Sequence, residues 1–430
     1  MKRVAIIGAG FSGTMTAVHL ARRGIEVTLI GRSPQVGKGV AYSTDDPAHL
    51  LNIAAGKMGA WPDAPGDFAA ATRCDPQDYV PRMLFGRYLR GILEASDVTL
   101  VEGEAVGAEP GWTVRMADGS RIAADALVLA PGNQPPDALP FARDLPERLF
   151  AADPWGPAGR AAIATAVAGN GDVLAVGSGL SMIDVALSLD AAGHTGKLVA
   201  VSRRGQVPRV HLETMSDVPS SDAAPSGSLR DLFRWVRART GEIEWRDAVD
   251  SVRPRTHVLW QSLSLDDQRR FMRHARPWWD VHRHRIAPKA GEIVAAMIAE
   301  GRMEVLGGRV QSLVEADGGL VAVIRQRGAA ANDAARRFAV GINCTGPLHA
   351  ITHTRDAVLR SLLDAGLAEP DALGIGLKVD DGVRVIGADR LWAMGSLGKA
   401  RYWEIIAVPD IRVQAAEVAD AIARELNDVG

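Results

Sequence analysis

Three glycines near the N-terminus have the spacing of a pyrophosphate-binding turn. Gly8, Gly10 and Gly13 lie between a four-residue apolar strand and a helical pattern. The first glycine permits the sharp turn, the second lets the backbone approach a pyrophosphate, and the third lets helix and strand pack closely. Phe11 and Ser12 begin the helix, whose free N–H groups and positive dipole end favour an anion. The motif therefore predicts a dinucleotide site.

The acidic residue that usually ends the second strand of such a unit is missing. Gly31 occupies its place, and Arg32 follows. A carboxylate at this point normally binds the ribose hydroxyls of adenosine. We expect the contact to come from elsewhere, with Arg32 stacking on adenine. A degenerate nucleotide site is the alternative.

A second strand–turn–helix–strand unit lies near the middle of the chain. Gly177 and Gly179 form its turn, and Ser181 can cap the helix or contact a phosphate. Arg203 and Arg204 follow its second strand, where an acidic residue would favour NAD. Two arginines suit the 2′-phosphate of NADP instead. The alternative is a pair of solvated surface arginines.

These two units predict an α/β fold with two Rossmann-like dinucleotide-binding domains. All four strands are apolar throughout, as in parallel sheets covered on both faces. We assign residues 1–155 and 327–430 to the first domain and residues 156–326 to the second. Residues 210–300, approximately, lack strand patterning and are predicted to be a largely helical insertion.

Composition excludes several classes of protein. The 430 residues suit two to three domains, and the formal net charge of −2 gives no global attraction to nucleic acid or membrane. The two cysteines, Cys74 and Cys344, form no C-x-x-C pair. A disulfide framework, a thiol redox pair and a four-cysteine zinc site are therefore disfavoured. No signal peptide or membrane-spanning run is evident, so the cytoplasm is the expected location.

A basic stretch in the insertion has three interpretations. It contains His282, Arg283 and Arg285. A metal site is disfavoured because neighbouring arginines repel a cation, and we predict no metal. A solvated basic helix is possible. The favoured interpretation places these three residues in the cleft between domains, where they bind an anionic substrate or the nicotinamide nucleotide.

Several segments resemble one family of flavoproteins that bind two dinucleotides. They are Gly39-Val40-Ala41-Tyr42 with Leu50-Leu51-Asn52, the glycine-ended strands at Gly132 and Gly346, and residues 202–211, 279–288 and 403–412. The family includes FAD-dependent urate hydroxylases and flavin-dependent amine N-hydroxylases. The resemblance covers nearly the whole chain.

The resemblance implies FAD on the first domain and NADPH on the second. It adds FAD contacts to those of the glycine turn: Asn52, Met58, Gly132, Gly395, Ser396 and Val408. Ser396 replaces the aspartate that often holds the ribityl chain in related flavoenzymes. For Asn52, a structural hydrogen bond is an equal alternative. The final helix would direct its N-terminus at the flavin and stabilise negative charge on the reduced ring.

The reaction that the resemblance implies is NADPH-dependent monooxygenation. Reduced flavin reacts with O2 to give a C4a-hydroperoxide, which hydroxylates a small nucleophile. Amine or amino-acid N-hydroxylation and urate-like ring hydroxylation both remain open. No side chain need be a strong acid or base, so we predict no catalytic residue. The alternatives are a reductase that passes electrons to a partner or quinone, and a non-catalytic flavin-binding sensor. The sequence leaves open whether the protein forms an oligomer.

Overall fold

The computed structural model of the protein describes residues 2–212, 224–328 and 334–428. The strands are β1 (Arg3–Ile7), β2 (Glu26–Gly31), β3 (Thr99–Glu102), β4 (Ala105–Glu109), β5 (Thr113–Met116), β6 (Arg121–Ala123), β7 (Ala126–Leu129), β8 (Phe150–Ala151), β9 (Val173–Val176), β10 (Leu198–Ser202), β11 (Met303–Ala316), β12 (Gly319–Gln326), β13 (Ala334–Phe338), β14 (Val340–Asn343) and β15 (Leu391–Ala393).

The helices occupy the connections between these strands. They are α1 (Phe11–Ala21), α2 (Gly39–Tyr42), α3 (Asp67–Thr72), α4 (Arg82–Glu94), α5 (Pro157–Gly169), α6 (Leu180–Ala191), α7 (Leu229–Arg239), α8 (Trp245–Asp250), α9 (Thr256–Ser262), α10 (Leu265–Arg270), α11 (Arg276–Arg283), α12 (Pro288–Ala299), α13 (Ala357–Asp364) and α14 (Val408–Asn427). None of these described helices is both long enough and apolar enough to cross a membrane.

The first sheet is parallel and has the strand order β15-β7-β1-β2-β3. Four of the five residues of β1 and all four of β7 are buried. Such strands need cover on both faces, which explains their uninterrupted apolar sequence. An antiparallel meander, β4-β5-β6, connects β3 to β7.

The second sheet repeats this arrangement. Its parallel part has the order β8-β14-β9-β10-β11, so β9, β10 and β14 correspond to β1, β2 and β7. The long strand β11 continues into an antiparallel meander with β12 and β13. Alternate residues of β9 belong to hydrophobic cores on opposite faces of the sheet. Val173 and Ala175 pack in one core, and Leu174 and Val176 pack in the other. The predicted pair of Rossmann-like units is confirmed.

Strand pairing corrects the predicted domain boundaries. β13 pairs with β12, and β14 pairs with β9, although the sequence assigned residues 327–430 to the first domain. β8, from the segment assigned to residues 1–155, also joins the second sheet by pairing with β14. Partners distant in sequence leave no local signal, which is why the pattern misplaced them. We define the second lobe as residues 150–343 without the helical insertion described next, and the first lobe as residues 2–149 and 344–428.

The helical insertion consists of α7 to α11. The prediction of a helical segment is confirmed for its described residues; residues 213–223 lie outside the described part of the chain. α12 packs in the core of the second lobe and is not part of the insertion. Trp260 and Phe271 of the insertion pack against Ile375 and Trp403 of the first lobe. The insertion therefore bridges the two lobes.

Candidate active site

One large cavity of about 570 Å³ borders the first lobe, the second lobe and the insertion. The first lobe contributes the turn around Gly10, and the second lobe contributes the start of α6, including Ser181. The insertion contributes Asp247, and Arg283 lies beside it in the wall. Clefts between lobes are common ligand sites because several elements can direct groups at one point.

Three helix N-termini meet this cavity. The first residues of α1, α6 and α14 all line it. No described side chain caps any of these three helices, whereas Ser228, Ser264 and Asp356 cap α7, α10 and α13. Uncapped N-termini leave backbone N–H groups free, although α14 offers only that of Val408 because Pro409 has none and the next two donate to Ala407. All three also present the positive ends of their helix dipoles. The cavity is therefore suited to anions, from phosphates to a negatively charged ring.

The two glycine turns are alike in atomic detail. Gly8 has φ +108°, and a Cβ there would lie 2.1 Å from the carbonyl oxygen of Ala130. Gly177 has φ +115°, and its Cβ would lie 2.1 Å from the carbonyl oxygen of Cys344. A Cβ on Gly13 would lie 1.9 Å from the carbonyl oxygen of Gly8. These positions need glycine because the neighbouring backbone leaves no room for a side chain.

Packing explains the missing acidic residue at the end of β2. A Cβ on Gly31 would lie 2.4 Å from the Cβ of Ala9, so the turn excludes any side chain at this position. The nearby carboxylate is that of Glu104, whose Oε1 lies 3.4 Å from Nη1 of Arg32. Gly31, Arg32 and Glu104 all line the cavity. Glu104 therefore supplies the negative charge that Gly31 cannot.

The other residues predicted to contact FAD divide into two groups. Asn52, Met58, Gly132 and Val408 line the cavity. The backbone carbonyl of Asn52 also pairs with the His211 ring, with a distance of 3.0 Å to Nε2.

Gly395 and Ser396 are not among the lining residues of the cavity, but a Cβ on Gly395 would lie 3.2 Å from the hydroxyl oxygen of Ser12, which is. The Ser396 hydroxyl donates to the carbonyl of Gly132 at 2.9 Å. The backbone N–H of Gly395 donates to Gln414 at 3.1 Å. Together they support the wall formed by Gly132 and the start of α14.

The wall opposite the glycine turn contains a buried ion pair. Nε of Arg283 donates to Oε2 of Glu404 at 3.0 Å, and the Trp279 indole N–H also donates to Glu404. Burial alone would raise the pKa of Glu404, but Arg283 and its other donors hold that pKa below the usual value. Burial lowers the pKa of the neighbouring His284, which also lines the cavity.

A second arginine–carboxylate pair lies beside the first. Nη2 of Arg285 donates to Oδ2 of Asp250 at 2.5 Å, and Arg285 is only 3% exposed. Burial, followed by the charge of Arg285, lowers the pKa of His211 to about 4. His211 lines the cavity as a neutral imidazole at neutral pH.

These pairs bear on the predicted substrate site. Arg283 and Arg285 do reach the cavity, but each is neutralised by a carboxylate of the protein. The positive charge of each arginine is therefore offset by its partner, while Nε of Arg285 has no hydrogen-bond partner among the described residues. His282 lies outside the cavity lining, and its Nδ1 is 2.7 Å from the carbonyl of Trp278. The sequence did not reveal Glu404 and Asp250 as partners, which lie 121 and 35 residues from their arginines.

The residues predicted to bind NADPH lie at the carboxyl edge of the second sheet. Ser181 lines the cavity, whereas Gly177, Gly179, Arg203 and Arg204 are not among its lining residues. Arg203 is exposed. The other arginine, Arg204, donates from Nη2 to the carbonyl of a residue in the insertion at 3.2 Å.

A protein-family model matches the N-terminal part of the first lobe. Residues 5–134, which include the first glycine turn and Gly132, match a family model described as FAD-NAD(P)-binding. These residues form an FAD/NAD(P)-binding domain. The resemblance drawn from the sequence is confirmed at this level, as is the prediction of a dinucleotide cofactor.

Two curated relatives match shorter stretches of this chain. A glycerol-3-phosphate dehydrogenase [NAD(P)+] of Nocardia farcinica is 32% identical over 122 residues, which cover 27% of this chain and 36% of that protein. The flavin-containing monooxygenase ustF1 of Aspergillus flavus is 36% identical over 77 residues, 16% of this chain and 18% of that protein. The chain thus matches only about a third and a fifth of the length of these relatives.

Solved structures resemble the chain over nearly its whole length. Ornithine hydroxylase (PvdA) from Pseudomonas aeruginosa has a TM-score of 0.66, 16% identity and 99% coverage of both chains. L-lysine 6-monooxygenase from Pseudomonas syringae has a TM-score of 0.68, 15% identity and 99% coverage of both. Thioredoxin reductase from T. acidophilum scores 0.56 at 10% identity, covering 99% of this chain and 100% of that chain. At these identities the likeness shows the fold, which is the predicted one of two dinucleotide-binding lobes.

Proposed function

We propose that the protein is an FAD- and NADPH-dependent monooxygenase that hydroxylates the nitrogen of a small amine. The observation that carries this proposal is the meeting of three uncapped helix N-termini, from both lobes, on one cavity. An arrangement that serves two dinucleotides lets a reductant reach a flavin directly. The whole-chain likeness to an ornithine hydroxylase and a lysine monooxygenase supports the oxygenase assignment.

The cavity fits FAD in its residue types and its free backbone groups. The backbone N–H groups of Phe11 and Ser12 would bind the pyrophosphate, next to the close approach of Gly10 and Gly39. A Cβ on Gly39 would lie 3.1 Å from Cα of Gly10, so the backbones of both turns border this point without side chains. Arg32 and Glu104 would hold the adenosine end.

The second lobe would hold NADPH. Backbone N–H groups of Leu180 and Ser181 are available to its pyrophosphate, because Gly179 precedes α6 without a capping side chain. Arg203 and Arg204, at the end of β10, would bind the 2′-phosphate. A Cβ on Gly179 would meet no atom within 4 Å, so the glycine here keeps space open for a ligand.

The protein's own part in the reaction is to bind, orient and exclude water. Bound FAD, once reduced by NADPH, would supply the activated oxygen atom. The N-terminus of α14, at Val408, would stabilise negative charge on the reduced ring. Val40, Leu212 and Ile406 are 38–47% exposed in the cavity and would be covered by the bound molecules. Their burial would keep water from the reacting atoms.

An amine is favoured over a urate-like anion by the charges of the cavity wall. Each of the two arginines that would have bound an anion has a carboxylate partner in the protein, which offsets its charge. Asp247 lines the cavity, and among the described residues no cation lies within 4 Å of its carboxylate. A free carboxylate attracts an ammonium group. Asp247 would therefore hold a second, protonated nitrogen of the substrate while an unprotonated nitrogen is hydroxylated.

The alternative is a flavin reductase, because the same fold occurs in a thioredoxin reductase. The form that acts through a cysteine pair is disfavoured, since Cys74 and Cys344 are the two cysteines and Cys344 is buried. Burial raises the pKa of the Cys344 thiol far above its usual value, so it is a poor nucleophile.

NADPH oxidation by the flavin-loaded protein separates these functions. We would supply diamines, amino acids, purines and quinones in turn and follow hydrogen peroxide in parallel. An amine that accelerates NADPH oxidation and suppresses peroxide supports the proposal. A quinone that accelerates it without oxygen uptake supports the reductase, and protein that cannot bind FAD excludes both enzymes.

A further inference from the structure

Four basic side chains from three parts of the chain lie close enough to act on one another electrostatically. Arg203 follows β10, His349 follows β14, Arg276 begins α11 of the insertion, and Lys399 belongs to the first lobe. Nη1 of Arg276 lies 3.3 Å from Nδ1 of His349. Nζ of Lys399 lies 3.5 Å from the carbonyl oxygen of Leu348. We call these four residues the basic cluster.

The basic cluster carries excess positive charge. Among the described residues, neither Arg203 nor Lys399 has a carboxylate oxygen within 4 Å. Arg276 has one carboxylate partner, because its Nε lies 3.2 Å from Oδ2 of Asp280. Two other carboxylates, those of Asp137 and Asp371, act on members of the cluster, and each has hydrogen-bond partners of its own. Asp137 accepts from His353 at 2.7 Å. The carboxylate of Asp371 accepts backbone N–H groups of its own loop.

The cluster members also disfavour one another's charged forms. Burial, then the charge of Arg276, lowers the pKa of Lys399 to about 8. Burial, then Arg276, Lys399 and Arg203, lowers the pKa of His349 to about 4. Cations held together without matching anions are costly unless a bound anion offsets their repulsion.

The position of the cluster indicates which anion this is. β10 and β14 are the two neighbours of β9 in the second sheet, and Arg203 and His349 follow their carboxyl ends. In open α/β sheets, ligands bind outside the carboxyl ends of the strands at the point where the strand order reverses. That point here is the Gly177 turn, between Arg203 on one side and His349 on the other.

We propose that Arg276 and Lys399 bind the pyrophosphate of the nicotinamide dinucleotide, together with the N-terminus of α6. The insertion and the first lobe thereby complete the coenzyme site of the second lobe. This inference rests on the proposed use of NADPH. Arg203 has a separate task at the 2′-phosphate. The pyrophosphate is common to NADPH and NADH, whereas the 2′-phosphate is not, so the two tasks are separable by experiment.

Calorimetric titration of the flavin-loaded protein with NADP+ and with NAD+ tests this assignment. Arg276→Ala and Lys399→Met should each weaken both ligands by the same factor, about tenfold or more for a lost charge-assisted contact to phosphate. Arg203→Ala should weaken NADP+ alone. Arg273→Ala is the matched control, because Arg273 precedes Arg276 by one helical turn but is exposed. It should leave both affinities unchanged.

Conservative variants separate charge from folding. Arg276→Lys and Lys399→Arg keep the cation and should retain affinity within about threefold, since a point charge still meets the phosphates. Unchanged binding of both ligands to Arg276→Ala and Lys399→Met, or weakened binding of NADP+ alone, would overturn the pyrophosphate assignment. Wild-type protein that binds FAD but neither NADP+ nor NAD+ would instead refute the proposed function. Failure of the pyrophosphate assignment is thus distinguishable from failure of the proposed function.

Discussion

Arg82 of the first lobe and Asp184 of the second lobe form a buried ion pair. Nη2 of Arg82 donates to Oδ1 of Asp184 at 3.0 Å, and Nη1 lies 3.0 Å from Oδ2. Their side chains are 10% and 5% exposed. Burial raises the pKa of Asp184, and the charge of Arg82 opposes that rise. The contact fixes α4 of one lobe against α6 of the other at the cavity wall.

Breaking this pair from one side should destabilise the protein strongly. Asp184→Asn leaves the Arg82 cation buried without its counter-ion, which costs about 3–5 kcal/mol. Urea unfolding measures this loss. The exposed pair of Arg337 and Asp317, with side chains 69% and 75% exposed, provides the control. Asp317→Asn should cost less than about 1 kcal/mol. Equal losses in the two variants would contradict a structural role for the Arg82–Asp184 pair.

Gly10→Val should remove flavin binding without unfolding the protein. A Cβ at this position would lie 3.4 Å from Cα of Gly39, an ordinary contact that the fold can accept. The larger side chain would fill the space above the N–H groups of Phe11 and Ser12, where the pyrophosphate is expected. The flavin absorbance per protein measures the effect. Gly91→Ala is the control, because a Cβ on Gly91 would meet no atom within 4 Å, and this variant should retain full flavin content. Flavin retained by Gly10→Val would mean that the turn does not bind the cofactor.

Stability should fall as the solution is acidified from about pH 6.5 to about pH 4. Burial is the main reason that the pKa values of His19, His211 and His349 are lowered to about 4. Between these limits the unfolded chain binds the protons and the folded protein does not, so acid favours unfolding. Each histidine contributes a slope of up to about 1.4 kcal/mol per pH unit.

Urea unfolding at a series of pH values measures this dependence. His211→Gln should reduce the slope relative to the wild-type protein, because one proton-binding difference is removed. His282→Gln is the control, since His282 lies outside the cavity lining and its ring is partly solvated. A slope unaffected by His211→Gln would show that this histidine titrates alike in the folded and unfolded states.

Asp247→Asn should raise KM for the amine and leave the flavin content unchanged. The carboxylate lines the cavity and would bind a protonated nitrogen remote from the reacting one. Loss of a hydrogen bond between charged groups costs about 1.5–3 kcal/mol, or roughly a 10- to 100-fold rise in KM. Steady-state kinetics with a diamine and a monoamine tests this, because the monoamine should show little change. Asp364→Asn, on the exposed surface of α13, should alter neither. An equal effect on both amines would contradict recognition of a second nitrogen.

The sequence predicted the glycine turns well because their physics is local. Gly8 and Gly177 each have a positive φ and a backbone oxygen where a Cβ would lie. Each glycine directly follows an apolar strand, so the sequence indicates a tight turn at both positions. The same locality explains why the helical insertion was recognised. The sequence also shows that glycine replaces the usual acidic residue at position 31, but it does not show why. Only the structure shows that Ala9 occupies the space of a side chain there.

Long-range partners were beyond sequence reasoning. Arg283 has no neighbour in sequence that indicates its pairing with Glu404, and so its charge suggested an anion site. Strand β14 likewise carries an apolar pattern that fits either sheet, and its pairing with β9 is decided by tertiary structure. Gly395 and Ser396 were placed against the cofactor by resemblance, and the hydrogen bond from Ser396 to the carbonyl of Gly132 is a contact that only the structure reveals.

The most direct test of the proposed function is the fate of molecular oxygen. The flavin-loaded protein would react with NADPH and an accelerating amine under ¹⁸O2, and the product would be analysed by mass spectrometry. The proposal predicts a hydroxylamine that carries one ¹⁸O atom on nitrogen for each NADPH consumed. Recovery of all the labelled oxygen as hydrogen peroxide, with the amine unchanged, would contradict it.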